Sequence, residues 1–447
     1  MKKRGVFQWT SKHAIAIYSS ALLWASVPAL ADMRPLSADS DYLLGDWGGY
    51  RSKLKDDGID FQINYSMESA ANLAGGYHSS TTARYTDQWT FGTTLDLEKL
   101  LNWDDTQFQL SITDRNGRDL SEHINDPRTG GLSSVEEIWG SGQTWRMTQF
   151  WINKGFFNHL IEVKAGRVTS DEDFDSTDGS FQNLAFGGGQ PGNWRSDRWY
   201  TWPISQWGGR VKFNFTPEIY LQVGFYNQTP GNYETGNGFR LDTSPTLGNM
   251  VPVELGWKPV FGPDKLPGRY LLGAWYSSVS GDNYSSYHNG GYHDKNRAYG
   301  GYVLLQQQLT ATGGDNQRGL GITLQGIMND HQTSKMDNYQ SIAMTWKGPT
   351  ASRAQDEVGL GAARIHVNKS YSQMQRTMNG ESGISDYRNP GYQPIQHGSE
   401  YDFELYYNAH LTNWLNVRPN LQYVVSPGAV SQVRNAFVGG LSADVTF

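Results

Sequence analysis

The sequence predicts an all-β protein, a transmembrane antiparallel β-barrel of about sixteen strands preceded by a short helix. Three observations carry this expectation. Beyond residue 31 no run approaches the roughly 18 consecutive apolar residues of a spanning helix. Apolar and polar residues instead alternate with period two in segment after segment. Very short links also alternate with long ones rich in Gly, Asn, Ser and Asp, as at the two ends of a barrel. A mean hydropathy of -0.59 over 447 residues is polar for a membrane protein, but a barrel presents lipid with only half of each strand.

Taken in order, the chain opens as an export signal. Met1, Lys2, Lys3 and Arg4, with Lys12, form a basic start; residues 14–27 are mostly apolar, and Ala29-Leu30-Ala31 is a small-x-small cleavage pattern. Residues 1–31 are therefore expected to be removed after Ala31, leaving Asp32 first. The apolar run is shorter than the ~20 residues a membrane span needs. Removal takes four basic and no acidic residues, leaving 33 basic against 44 acidic and a formal net charge of -11. An acidic exported chain is a poor nucleic-acid binder, so no nucleic acid is expected as partner. With no Cys, a thiolate zinc site, an iron–sulfur cluster and a disulfide scaffold are excluded. Residues 32–59 form an N-terminal segment with a helix expected at 46–57. Asp46 is its N-cap, Trp47, Tyr50, Arg51 and Leu54 lie near one face, and Gly58 stops it.

The barrel is expected to occupy 60–447 as one unit. Its strands fall near 60–70, 88–98, 106–114, 144–154, 159–168, 205–215, 219–228 and 251–259, then 268–278, 298–309, 318–328, 338–347, 357–367, 401–411, 414–424 and 437–447. In the first, Phe61, Ile63, Tyr65 and Met67 interleave with Gln62, Asn64, Ser66 and Glu68; later, Ile342, Met344 and Trp346 repeat the pattern. Links such as Phe156-Phe157-Asn158 and Thr216-Pro217-Glu218 are short, whereas 116–142, 169–204, 229–250, 279–296 and 368–400 are long. Segments 144–154, 251–259 and 357–367 are the least regular. At the end, Phe437, Gly439, Leu441, Ala443, Val445 and Phe447 share one face.

Several blocks add a resemblance. Residues 45–61, Gly-Asp-Trp-Gly-Gly-Tyr-Arg-Ser-Lys-Leu-Lys-Asp-Asp-Gly-Ile-Asp-Phe, run into Asn72-Leu73-Ala74-Gly75-Gly76. The closing block holds Glu404-Leu405-Tyr406-Tyr407, Thr412-Asn413-Trp414-Leu415, Arg418-Pro419-Asn420-Leu421-Gln422-Tyr423 and Pro427-Gly428. Between them stand Ala165-Gly166-Arg167, Asp173-Phe174 and Phe181-Gln182-Asn183. Together these resemble the carbohydrate-selective, OprB-like porins, although 229–400 carries little that matches. The resemblance implies a sixteen-stranded barrel of the Gram-negative outer membrane, in contact with its lipid. Its narrowed channel would pass mono- and small oligosaccharides down their gradient, with the short helix on the periplasmic side. The terminal strand with Phe447 resembles the signal such barrels present to the barrel assembly machinery. A homotrimer is one expected assembly, since many porins trimerise, but no sequence feature marks an interface.

A sugar is neutral and polyhydroxylated with apolar C–H faces, so aromatic platforms flanked by ionic hydrogen-bonding groups suit it. The 169–204 connection has that composition: Asp171, Asp173, Asp175 and Asp178, then Trp194, Arg195, Arg198, Trp199, Tyr200 and Trp202. It is expected to fold into the lumen as a constriction; the alternative is an external cap or a trimer contact. Strand parity points Glu68, Glu98, Arg210, Lys212 and Arg418 inward. Arginine, which can engage vicinal hydroxyls with two donors, ranks above lysine. Asp171-x-Asp173-x-Asp175 superficially resembles a calcium loop, but Ser176 and Gln182 stand where Gly and Glu are required. No metalloprotease, serine-hydrolase or phosphate-loop motif is present, and Gly187-Gly188-Gly189 lacks the flanking strand and helix; neither catalysis, a metal nor a cofactor is expected. A secreted β-rich sugar-binding protein or glycosidase, and a general or anion porin of the same fold, remain as rivals.

Overall fold

The computed structural model describes residues 34–140, 142–177, 179–187 and 198–447. The expected export segment and its cleavage point, and the candidates Asp178, Trp194 and Arg195, lie outside the described residues. Sixteen long strands form one antiparallel sheet. They are β1 (Ile59–Gly76), β2 (Thr82–Asp96), β3 (Thr106–Arg118), β4 (Trp145–Phe156), β5 (Ile161–Val168), β6 (Gln206–Asn214), β7 (Ile219–Gln228) and β8 (Gly248–Trp257). There follow β9 (Leu266–Ser277), β10 (Ala298–Gln308), β11 (Gly319–Asn329), β12 (Met336–Lys347), β13 (Glu357–Val367), β14 (Ser399–His410), β15 (Leu415–Val425) and β16 (Arg434–Thr446). Each pairs with its neighbours in sequence, and β1 pairs with β16, so the sheet closes on itself. Closure removes the sheet edges that an open sheet would leave unpaired.

Each expected segment is a strand, including the three irregular ones. The outward face of the wall carries exposed Phe91, Phe225, Leu272, Val303, Leu324, Ile342, Met344, Trp346, Phe403 and Leu441, an apolar belt that a soluble protein would bury. β1, β2 and β3 run further toward the loop end than expected. There the outward residues of β2 and β3 turn polar, with Asp87 accepting from Asn116 Nδ2 at 3.3 Å, and the β1 extension is Ala- and Gly-rich, so the apolar alternation that marks a strand fades. β2 also stops earlier than 98. The Asp96 carboxylate accepts from the Glu98 and Lys99 amides at 3.1 and 3.2 Å and caps a helical turn, α2 (Leu97–Leu101). Glu98 therefore does not project into the lumen as parity predicted: it sits at the turn end, where its carboxylate accepts from the Asp105 amide at 3.1 Å.

Short turns and both described chain ends gather at one end of the barrel, and the long loops at the other. The N-terminal helix is α1 (Tyr50–Asp56), shorter than expected because Trp47–Gly49 forms a separate tighter turn. Asp46 still serves it, its carboxylate accepting from the Ser52 amide at 2.8 Å. Arg51 is buried, stacks 3.3 Å from the Tyr42 ring centroid and donates to the carbonyls of Phe61 and Phe447. The helix is thereby tied to β1 and to the last residue of the chain. The loop between β3 and β4 contains α3 (Ser121–Ile124), and that between β13 and β14, expected as a long loop, contains α4 (Lys369–Ser382). Asn368 caps α4 by accepting from the Ser370 amide at 2.9 Å, and Gly383 ends it at φ 66°.

The core lies inside the barrel. Phe174 and Trp199, from the connection between β5 and β6, are almost wholly buried against Tyr226, Trp275 and Tyr302 of the wall, with edge-to-face ring pairs at 6.1 to 6.3 Å. Such rings contribute about 2–3 kcal/mol each on burial, so the segment is packed onto the wall as firmly as a core element.

Candidate functional site

The inward faces of the strands and two long connections, 119–144 and 169–205, build the lumen. The second is held on opposite walls. On the β5–β6 wall, Lys164 Nζ lies 2.9 Å from both Glu172 and Asp173, and Arg210 Nε is 2.9 Å from Asp173. Burial works against ionising Asp173, but Lys164 and Arg210 outweigh it and hold its carboxyl below the usual range. Further along, the Asp175 amide donates to Glu254 of β8 at 3.0 Å, and its carboxylate accepts from Gln325 of β11 at 3.1 Å. At the far side, Glu404 of β14 accepts from the amides of Gln182 and Asn183 at 2.9 and 2.7 Å. The connection thus runs between walls eight strands apart.

The first connection is anchored by the same device. Glu68 of β1 accepts from the Ile138 amide at 2.9 Å, and Glu400 of β14 from the Ser133 amide at 2.9 Å. Within the connection, Glu136 accepts from the Leu120 amide at 2.6 Å; its burial, with Asp119 beside it, pushes its carboxyl well up. The two connections meet at Gly187 and Glu137. A Cβ on Gly187 would stand 2.7 Å from the Glu137 carboxylate, so any larger residue there would push that carboxylate aside.

Beside that meeting point stand two inward arginines. Arg115 Nε donates to Gln88 Oε1 at 2.8 Å and Nη1 to the Gly140 carbonyl at 3.3 Å. Its charged neighbours are Glu137, Glu68, Arg146 and Asp171. Arg146 donates to the carbonyls of Asn232 and Tyr233 at 2.7 and 2.9 Å. Neither arginine is among the sequence-based candidates. Strand parity marks Arg115, which continues the inward series of Gln109, Ser111 and Thr113, all buried, but not Arg146, because a bulge at Thr148 shifts the β4 register and the outward Phe150 and Ile152 share its even parity.

The structure brings some expected residues together and separates others. Trp202 Nε1 donates to the same Gln88 oxygen as Arg115, at 3.0 Å, and its amide donates to Asp171. Burial raises the Asp171 carboxyl to about 7 and that of Asp175 well above the ordinary range. Trp199 packs in the core, Tyr200 lies edge-on to Tyr233 at 5.0 Å, and Arg198 reaches the Ser280 carbonyl at 3.4 Å. Arg418 belongs to the other wall, 3.7 Å from Asp444 and across Ser442 from Glu68. Asp171, Asp173 and Asp175 face three different sets of partners instead of converging. Among the described residues, no group of three or more His, Asp or Glu is arranged to hold a metal.

The chain matches the family model of the carbohydrate-selective porins, OprB family, over residues 80–447. It is 48% identical to Porin B of Pseudomonas aeruginosa over 92% of each chain. The chain belongs to the OprB family of carbohydrate-selective porins. A second relative in sequence, the putative porin QuiX of Acinetobacter baylyi, is 37% identical over 97% of this chain and 99% of its own. The high-pH structure of Pseudomonas putida OprB superposes with a TM-score of 0.89 at 47% identity, covering 93% of this chain and 100% of that one. The lumen described above is therefore the channel of an OprB-family porin of the Gram-negative outer membrane. In such barrels the short turns face the periplasm and the long loops the outside.

Proposed function

We propose that the chain conducts monosaccharides and small oligosaccharides passively, and that its selectivity is set where the 119–144 and 169–205 connections meet beside Arg115 and Arg146. The observation that carries this reading is Arg115, whose guanidinium faces the Glu137 carboxylate and the Arg146 guanidinium there. Donors and acceptors of opposite charge exchange hydrogen bonds for a sugar's water shell while presenting little net charge, which suits a neutral solute. Transit demands that this binding stay weak enough for exit. Arg198, Trp199, Tyr200 and Trp202 act from behind, stiffening the loop that forms one side of the narrowing. Export by residues 1–31 and delivery to the assembly machinery through the strand ending in Phe447 complete the reading; β16 pairing with both β15 and β1 makes that strand the seam of closure.

Block of ion current by glucose in planar bilayers tests the proposal. Arg115→Ala and Arg146→Ala are each expected to raise the half-blocking glucose concentration about tenfold, the loss of one charged hydrogen-bond donor. Unchanged block in both variants would move the selective point elsewhere in the lumen.

A further inference from the structure

On the side of the wall away from the lumen, β1, β2 and β3 form a basic recess that the channel does not use. Ser69, Tyr85 and Arg118 stand side by side across the three strands, and the next row toward the loop end pairs Ala71 with Ala83. Those two alanines offer only methyl groups, and Gly117, at φ 101°, holds its backbone against the Tyr85 carbonyl, where a Cβ would come within 2.1 Å. A shallow surface cavity of about 460 Å³ opens as a result, lined by Ser69, Ala83, Arg84, Tyr85, Gly117 and Arg118. Tyr85 and Arg118 are exposed and Arg84 is half-buried. Arg84 donates to the neighbouring Ala83 carbonyl at 3.2 Å, and among the described residues neither guanidinium lies within ion-pair distance of a carboxylate. The carboxylates on the same outward face are Asp87 and Asp114. Asp87 accepts from Asn116 Nδ2 at 3.3 Å and from the Tyr65 hydroxyl at 3.5 Å, and Asp114 accepts from Asn116 Nδ2 at 3.0 Å.

Depth separates the two signs. A tilted barrel strand crosses the hydrocarbon in about 9–11 residues. Counted from the turn ends of β2 and β3, at Asp96 and Thr106, that span closes near residues 86 and 116. Asp87 and Asp114 thus lie just below the outer edge of the apolar belt, and Arg84, Tyr85 and Arg118 just beyond it, at the level of lipid headgroups on the loop side. Below the rim, the exposed and stacked rings of Phe91 and Trp145 offer an apolar surface.

We propose that this recess binds an anionic lipid of the outer leaflet through the phosphate of its headgroup, with Arg84 and Arg118 as the cationic partners. Guanidinium forks match phosphate oxygens in geometry as well as charge, and a tyrosine at the membrane edge suits the boundary between headgroup and acyl chain. The acyl chains would run down over Phe91 and Trp145. A solute in the lumen does not reach this face, so the site is independent of what the channel conducts.

Native mass spectrometry of the purified barrel in detergent tests this with three probes: lipid A, which is a phosphorylated and acylated disaccharide, the same glycolipid stripped of its phosphates, and inorganic phosphate. In the wild type, lipid A is expected to bind at least about tenfold more tightly than its dephosphorylated form, the scale of two arginines at a charged membrane surface. The Arg84→Gln/Arg118→Gln double variant is expected to bring the two lipids within about twofold of each other, while Arg84→Lys/Arg118→Lys, which keeps both charges, retains most of the preference. Unchanged heat-dependent gel mobility shows that the variants fold. Equal binding of both lipids by the wild type, or a preference that survives in the Gln double variant, would overturn the proposal. Displacement of bound lipid A by an equal concentration of inorganic phosphate would reduce the recess to a free-phosphate site and overturn the lipid assignment. An oligomer in the same spectra that falls apart in the Gln double variant would give the face to a second copy of the chain and overturn it as well.

Discussion

On the β5–β6 wall the 169–205 connection is held by charge: Lys164 and Arg210 clasp Glu172 and Asp173. On the β14 wall, eight strands away, the same connection is held by a carboxylate that grips only backbone, Glu404 taking the amides of Gln182 and Asn183. The first attachment needs acidic side chains at particular loop positions; the second accepts any residue whose amide points the right way. A loop crossing a wide, water-filled barrel is thus pinned at one end by its sequence and at the other by its path.

The contrast can be broken most strongly at Asp173. Its replacement by Ala strips a buried carboxylate from two buried cations and is expected to cost about 3–5 kcal/mol, read as earlier release of the loop in thermal melts and faster proteolysis within 169–204. Next is Glu404→Ala, which orphans two buried amides at about 2–4 kcal/mol and is expected to raise single-channel conductance as the far end of the loop lifts. A conductance equal to wild type would show that backbone capture at this wall is dispensable.

A smaller effect is set by pH. The Asp171 carboxyl titrates near 7 in the seated loop, against roughly 4 when exposed, so the seated form binds more protons between about pH 4 and 7. Seating is fully favoured below that window and weakens as pH rises through it; the depressed Asp173 acts oppositely, but only under more acid conditions. Loop proteolysis is therefore expected to quicken from pH 5 to 8, and Asp171→Asn to flatten that slope in part, since Asp175 is raised as well. A slope identical to wild type would contradict this assignment. Least of all, Ser133→Ala should cost about 1 kcal/mol, the loss of its hydroxyl's bond to Asn183 Oδ1 at 2.9 Å, because the amide that Glu400 holds remains.

The barrel was legible because lipid enforces a rule on every strand: Ile342, Met344 and Trp346 must all face out, and any one-residue slip would bury the wrong set. Where that rule lapses, so does the legibility. The loop-end extensions of β2 and β3 carry polar outward residues such as Asp87, that of β1 is Ala- and Gly-rich, and α4 has a weakly apolar face, betrayed only by Asn368 and Gly383. In the lumen, Asp173 and Arg210 could be named singly, but their meeting depends on a loop folding back some forty residues. The series Glu400, Asp402, Glu404 was visible at period two on β14, yet only the three-dimensional path of the loops reveals carboxylates that hold backbone. Arg115 was visible by parity, whereas the bulge at Thr148 hides Arg146, which shares the parity of the outward Phe150 and Ile152; nothing in one sequence marks either off from other polar strand residues.

The central claim, that two inserted connections narrow an OprB-family barrel to a sugar-selective passage, is tested most directly by liposome swelling with the wild-type protein in glucose and in a disaccharide of matched osmolarity. The account predicts rapid swelling with glucose and markedly slower swelling with the disaccharide, a difference that shrinks in Asp173→Ala and Glu404→Ala. Equal rates for both sugars in the wild type, or no swelling with glucose, would contradict it.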